Sequence, residues 1–215
     1  MLRGVIFDFD GVICESVEAK TEAFRKLFEG YPELIEQITA YHMENGGLSR
    51  FEKFKVIYRD ILKKPLTEEE SARLGQKFTE YSYQLVLQSP FVTGAYEFLE
   101  KNFTKFKLFV ASGTPEEEMR TIVQLRGLGH FFKGVYGSPK TKFEIITQIM
   151  KTHSLAQKDI LFVGDSVTDY KGAEEAKIRF VGRLHPLYPN PFSGFKIEKE
   201  IPDLLELEEI INSLR

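Results

Sequence analysis

The chain has 215 residues, 42% of them hydrophobic, a formal net charge of -3 and a sequence pI of about 5.9. That suffices for one substantial core with a smaller attached unit, and the balance of charge argues against a polyanionic partner such as nucleic acid. The lone cysteine, Cys14, excludes an internal disulfide, and the histidines (His42, His130, His153, His185) are too scattered to suggest a zinc site and read as surface or helix-end residues. No stretch is apolar for long enough to act as a signal peptide or cross a membrane, so the expected setting is the reducing cytoplasm.

The first predicted element is a strand, Gly4-Val5-Ile6-Phe7, running into Asp8-Phe9-Asp10-Gly11-Val12. An apolar run breaking into Asp-x-Asp-Gly reads as a buried strand whose last side chains emerge into a pocket. Side chains alternate along a strand, so Asp8 and Asp10 leave on one face and Phe9 on the other. Two carboxylates so placed repel, and a hard divalent cation is the ordinary remedy.

Residues 15–90 change to helical periodicity. Ala19, Ala23, Phe24, Leu27 and Phe28 fall on one face, followed by Leu34, Ile35, Ile38, Tyr41 and His42. Asn45-Gly46-Gly47 breaks the chain, Ser49 with Glu52 suggests a capping box, Pro65 ends that helix, and Thr67 with Glu70 opens another. The stretch reads as a bundle of about four helices inserted after the first strand.

From Phe91 helices and strands alternate. A second strand, 106–111, ends in Ser112-Gly113-Thr114-Pro115, where Thr114 as cap, Pro115 at the first helical position and Glu117 predict a strong helix start. Further strands are expected at 134–137, 159–164 and 178–182, with helices at 142–150 and 204–214. Residues 183–202, rich in proline, read as a long loop without an assigned role. Such alternation implies an α/β fold, a doubly wound parallel sheet, whose strand carboxyl ends share one edge.

That edge gathers Asp8, Asp10, Ser112 with free backbone N–H groups, a lysine at Lys140 or Lys142, and Asp165 with Asp169. Carboxylates and a lysine without histidine suit Mg2+ facing a phosphate. A carboxylate can be the nucleophile, forming an acyl phosphate that water later opens. A second carboxylate close by has its pKa raised and can protonate the leaving oxygen, a role that fits Asp10.

The ordered set Asp8-Phe9-Asp10-Gly11-Val12, Ser112-Gly113-Thr114, a lysine, and Gly164-Asp165-Ser166-Val167-Thr168-Asp169 resembles the haloacid dehalogenase superfamily, in its branch of phosphoglycolate phosphatases and β-phosphoglucomutases. The resemblance implies a Rossmann-like core formed by 1–14 and 91–215, with a helical cap at 15–90. It makes Asp8 the nucleophile and Asp10 the general acid and base, with Ser112 and Gly113 holding the phosphoryl group. Asp8, Asp165 and the main-chain carbonyl of Asp10 would hold Mg2+, and Asp169 would support the ion or the lysine. The family usually follows that lysine with proline, and neither candidate here has that neighbour; Lys142, at a helix start, is favoured over Lys140. In the cap loop, Arg50 and Lys53 are candidates for reading the leaving group, and exposed helix charges are the plain alternative.

The implied activity is a magnesium-dependent phosphatase acting on a small phosphorylated metabolite through an aspartyl phosphate. A phosphomutase would use the same residues and differ in excluding water. A phospho-accepting or binding module without enzyme activity would need no cap. Oligomeric state is not encoded in any of these features.

Overall fold

The computed structural model describes residues 2–214. A six-stranded sheet, every neighbouring pair parallel, has the order β3-β2-β1-β4-β5-β6. Its strands are β1 (Gly4–Phe7), β2 (Lys107–Pro115), β3 (Phe132–Ser138), β4 (Ile160–Gly164), β5 (Arg179–Arg183) and β6 (Lys199–Ile201). β1 lies in the middle, with Phe7 in register with Val110 on one side and Val163 on the other.

Alternation along the strands splits the core into two faces. Val5, Phe7, Leu108, Val110, Leu161 and Val163 pack beneath α5 (Ala95–Asn102), α6 (Glu116–Leu125) and α9 (Leu207–Ser213). Ile6, Phe109, Phe162 and Phe180 pack beneath α7 (Lys142–His153) and α8 (Val167–Glu175). Both faces being covered is what makes these strands near-continuous apolar runs.

Between β1 and α5 come α1 (Val17–Leu27), α2 (Ile35–Glu44), α3 (Arg50–Val56), which continues as a π-helical turn at Ile57–Ile61, and α4 (Glu68–Gln88). They enclose an apolar cluster of their own, including Phe24, Phe28, Ile38, Phe54 and Phe78.

Several local expectations are corrected. β2 continues through Thr114 to Pro115, so Thr114 caps no helix; its hydroxyl is instead a hydrogen-bond acceptor for Lys20. Ser49 caps α3 through the Phe51 amide alone, without a box to Glu52. Residues 183–202 contain β6, and His42 is buried rather than at the surface.

Candidate active site

β1 delivers Asp8 to the sheet edge. One residue past the strand, the Asp8 amide still donates to the Val163 carbonyl at 3.0 Å, which ties it to β4. Asp8 Oδ1 accepts from the Phe9 amide at 2.7 Å and lies 3.1 Å from Lys142 Nζ. That ammonium is 2.7 Å from Asp169 Oδ1 and donates to the Ala111 carbonyl at 2.6 Å, so it joins β1, β2 and α8. Lys142 is held there because Thr141 and Glu144 form a capping box at the start of α7. Lys140, in contrast, is exposed and meets Glu116 at 3.3 Å.

β4 delivers Asp165, and the next turn delivers Asp169. Ser166 and Asp169 cap α8 reciprocally: Asp169 Oδ2 accepts from the Ser166 amide at 3.1 Å and its hydroxyl at 2.7 Å. Ligand atoms of Asp8, Asp165 and Asp169 lie within 4.8 Å of one another, the one such acidic group among the described residues. Gly11 adopts φ +76°, and a side chain there would collide with the Asp165 carboxylate.

Burial raises the Asp8 carboxyl to about 7, outweighing the opposing pull of Lys142. Asp165 is pushed well up by burial, then by Asp8 and Asp169. Two buried carboxylates and a half-buried third facing one lysine leave excess negative charge, and all the donors are oxygen. That donor set fits a hard divalent cation such as Mg2+.

Asp10 stands apart from this trio. Its carboxylate accepts from Ser16 Oγ at 2.7 Å and is paired with Lys20, whose ammonium also donates to Thr114 Oγ1 at 2.6 Å. Burial alone would raise the Asp10 pKa, but Lys20 and Ser16 hold it below the usual carboxylate value. The expected rise at Asp10 is thus found at Asp8, because Lys20 compensates the second acid and not the first.

Asp8, Asp10 and Asp165 nevertheless open into a single cavity of ≈ 580 Å³. Gly113 and Thr114 line it; Ser112 is 1% exposed behind them, its hydroxyl accepting from the Thr114 amide at 3.1 Å. A Cβ on Gly113 would come 2.5 Å from the Gly47 carbonyl, so glycine there permits the 46–48 loop to rest on β2.

Arg50 and Lys53 line the far wall, both buried, which overturns the reading of exposed helix charges. The Arg50 guanidinium pairs with Glu118 of α6 at 2.7 Å, donates to Thr79 Oγ1 at 2.6 Å and stacks 4.5 Å over Phe78. Among the described residues Lys53 hydrogen-bonds only to His42, at the carbonyl oxygen (2.9 Å) and at Nδ1 (3.2 Å), and its ammonium lies 5.6 Å from the centre of the Phe24 ring. Cys14 is buried, and its thiol is pushed up to about 12, which removes thiolate chemistry.

Sequence reasoning missed Lys20, His42 and the segment 185–191, of which His185, Tyr188 and Asn190 line the cavity. A lysine four residues after Ser16 on the first helix was the available signal for Lys20. The 183–202 stretch gave none beyond its length.

Comparison with known proteins matches this architecture. The family described as haloacid dehalogenase-like hydrolase matches residues 5–183. A phosphoglycolate phosphatase of Aliivibrio fischeri is 25% identical over 185 residues, covering 81% of either chain. A phosphorylated carbohydrates phosphatase of Thermotoga maritima is 24% identical over 220 residues, covering 100% of this chain and 99% of its own. The crystal structure of β-phosphoglucomutase from Clostridium difficile superposes with a TM-score of 0.78 at 19% identity, covering 100% of this chain and 97% of that one, which is a likeness of fold. With the match running from the first strand to the fifth, this chain belongs to the haloacid dehalogenase-like hydrolases.

Proposed function

We propose that the chain is a magnesium-dependent phosphatase that releases phosphate from a small phosphorylated metabolite by way of a phosphorylated Asp8. The observation that carries this reading is the buried Asp8–Lys142–Asp169 chain beside Asp165, in one cavity with Asp10. Two curated relatives named as phosphatases support it. On this reading residues 1–14 and 91–215 form the catalytic unit and 15–90 the cap. The one cysteine is buried, and among the described residues no helix is long and apolar enough to cross a membrane; on this reading the enzyme is cytoplasmic.

Asp8 Oδ1 is engaged by the Phe9 amide and Lys142, so Oδ2 is the oxygen aimed at phosphorus. Attack forms the Asp8–phosphorus bond and breaks the bond to the leaving oxygen, which takes a proton from Asp10. In the second half Asp10 takes a proton from water as that water attacks the same phosphorus, restoring Asp8. Lys20 keeps Asp10 ionised, which suits the water-activating half and opposes loading of the proton needed for the first. Asp8, Asp165 and Asp169 would hold Mg2+, supplying positive charge against the transferring phosphoryl oxygens. Backbone donors around Gly113 and the Lys142 ammonium add to that stabilisation.

Phosphate release from a panel of monoesters, with and without Mg2+, beside Asp8→Asn, tests the reading. Loss of about a thousandfold or more in the variant is expected for removal of a nucleophile. Full turnover by Asp8→Asn, or no need for a divalent cation, refutes it; conversion of a sugar phosphate to its isomer without phosphate release assigns mutase chemistry instead.

A further inference from the structure

Among the described residues, the buried and half-buried cations around the cavity are matched by acids with one exception. Lys20 pairs with Asp10, Arg50 with Glu118, Lys142 with Asp8 and Asp169, and Arg183 with Glu15. Lys53 is 4% exposed, lines the cavity, and has no carboxylate in ion-pair range among the described residues. Its two recorded hydrogen-bond contacts are both to His42, the main-chain oxygen and Nδ1, leaving a third donor of the ammonium available. His42 is itself buried, its ring 4.0 Å from that of Phe24, so both groups are fixed by packing.

An unpaired buried ammonium is costly unless an opposite charge arrives to meet it. Burial, and then Lys20, push the Lys53 amine down to about 7, with Asp10 and Asp165 pulling the other way. Asp8, Asp10 and Asp165 line the same cavity, with Lys142 held 3.1 Å from Asp8, and supply its phosphate end on that reading. The inserted helices also bring Phe24, Phe78, Arg50 and Glu44 to the cavity, but Arg50 is already paired with Glu118, and Glu44 makes no ion pair with Lys53 among the described residues.

We propose that the His42–Lys53 pair is the specificity element for the leaving group, and that the substrate is a phosphomonoester whose alcohol portion carries a second anion, received by Lys53 in the cavity that Asp8 also lines. This rests on the phosphatase reading. A carboxylate and a second phosphate share the chemistry, and separate arms distinguish them. Neutral Lys53 hydrogen-bonding a sugar hydroxyl is the competing arrangement.

The test measures kcat and KM with Mg2+ for 2-phosphoglycolate and 3-phosphoglycerate (carboxylate arm), fructose 1,6-bisphosphate (second-phosphate arm), and glycerol 3-phosphate and glucose 6-phosphate (neutral alcohols). Wild-type protein is expected to favour one anionic arm by about tenfold or more in kcat/KM, the scale of a hydrogen bond to a charged group. Lys53→Met should collapse that ratio chiefly through KM, and Lys53→Arg should retain a substantial part of it. Equal kcat/KM for anionic and neutral esters in the wild type overturns the inference while leaving the phosphatase reading intact. So does a ratio unchanged in a folded Lys53→Met. Failure of the wild type to release phosphate from any ester sinks both.

Discussion

Lys142→Met preserves the length and much of the volume of the side chain while removing its charge. The ammonium is the shared partner of Asp8 at 3.1 Å and Asp169 at 2.7 Å, both essentially buried. Deleting one partner of a buried ion pair costs about 3–5 kcal/mol, because the remaining charge stays in a medium of low polarity. At about 2–4 °C per kcal/mol for a chain of this size, melting should fall by about 10 °C in the metal-free protein. The loss has a definite pH dependence. With Asp8 raised to about 7 from the ordinary carboxylate value of 3.8, the native state holds more protons than the unfolded one between those limits, and stability falls as pH rises through that window. Without Lys142 the folded-state pKa of Asp8 moves further up and the window widens, so the gap between wild type and variant is smaller near pH 5, where loss of the Asp169 pairing remains, and full near pH 8.5. Thermal melts followed by circular dichroism in EDTA at those two pH values measure it. Equal melting temperatures at both, or a larger gap at acid pH, refute the buried pairing.

Two further outcomes follow from the same electrostatics. Mg2+ must displace the proton that burial keeps on Asp8, so apparent Mg2+ affinity should weaken as pH falls below about 7, and calorimetry in buffers of different ionisation enthalpy should show proton release; pH-independent binding would contradict the trio as the ion's site. Lys20→Met frees Asp10 from the cation that keeps it ionised, so Asp10 should titrate at higher pH. The acid limb of the pH–rate profile should move up in pH, and an unmoved profile would remove Lys20 from the machinery.

The sheet was legible because its determinants are local. Runs such as Ile160–Gly164, bounded by turn residues, admit few readings, and the period of two along β1 and β4 already separates Phe7 and Val163 from Ile6 and Phe162. Strand ends carrying Asp8 and Asp165 then fall on one edge by topology alone. β6 escaped notice since Lys199-Glu200-Ile201 is a three-residue edge strand with two exposed charges, paired to β5 on a single side. Thr114 was misread for another reason: Thr-Pro-Glu-Glu-Glu is a genuine helix start, and only the β3 pairing of Pro115 with Ser138 shows that the strand extends through it.

The helical side of the cavity was harder, for a physical reason visible in three cations. Arg50, Lys53 and Lys20 look alike in sequence, each a basic residue on an amphipathic helix that propensity assigns to solvent. What separates them is the acid that meets each: Glu118 from α6 for Arg50, none among the described residues for Lys53, and Asp10 from the first loop for Lys20. Those partners lie at separations that no periodicity encodes. Charges on strand ends are thus assigned by the backbone, whereas charges on the inserted helices are assigned by long-range pairing. For the same reason, phosphate chemistry can be read from four short motifs, while the leaving-group selectivity proposed above would turn on one lysine that has no counter-ion among the described residues.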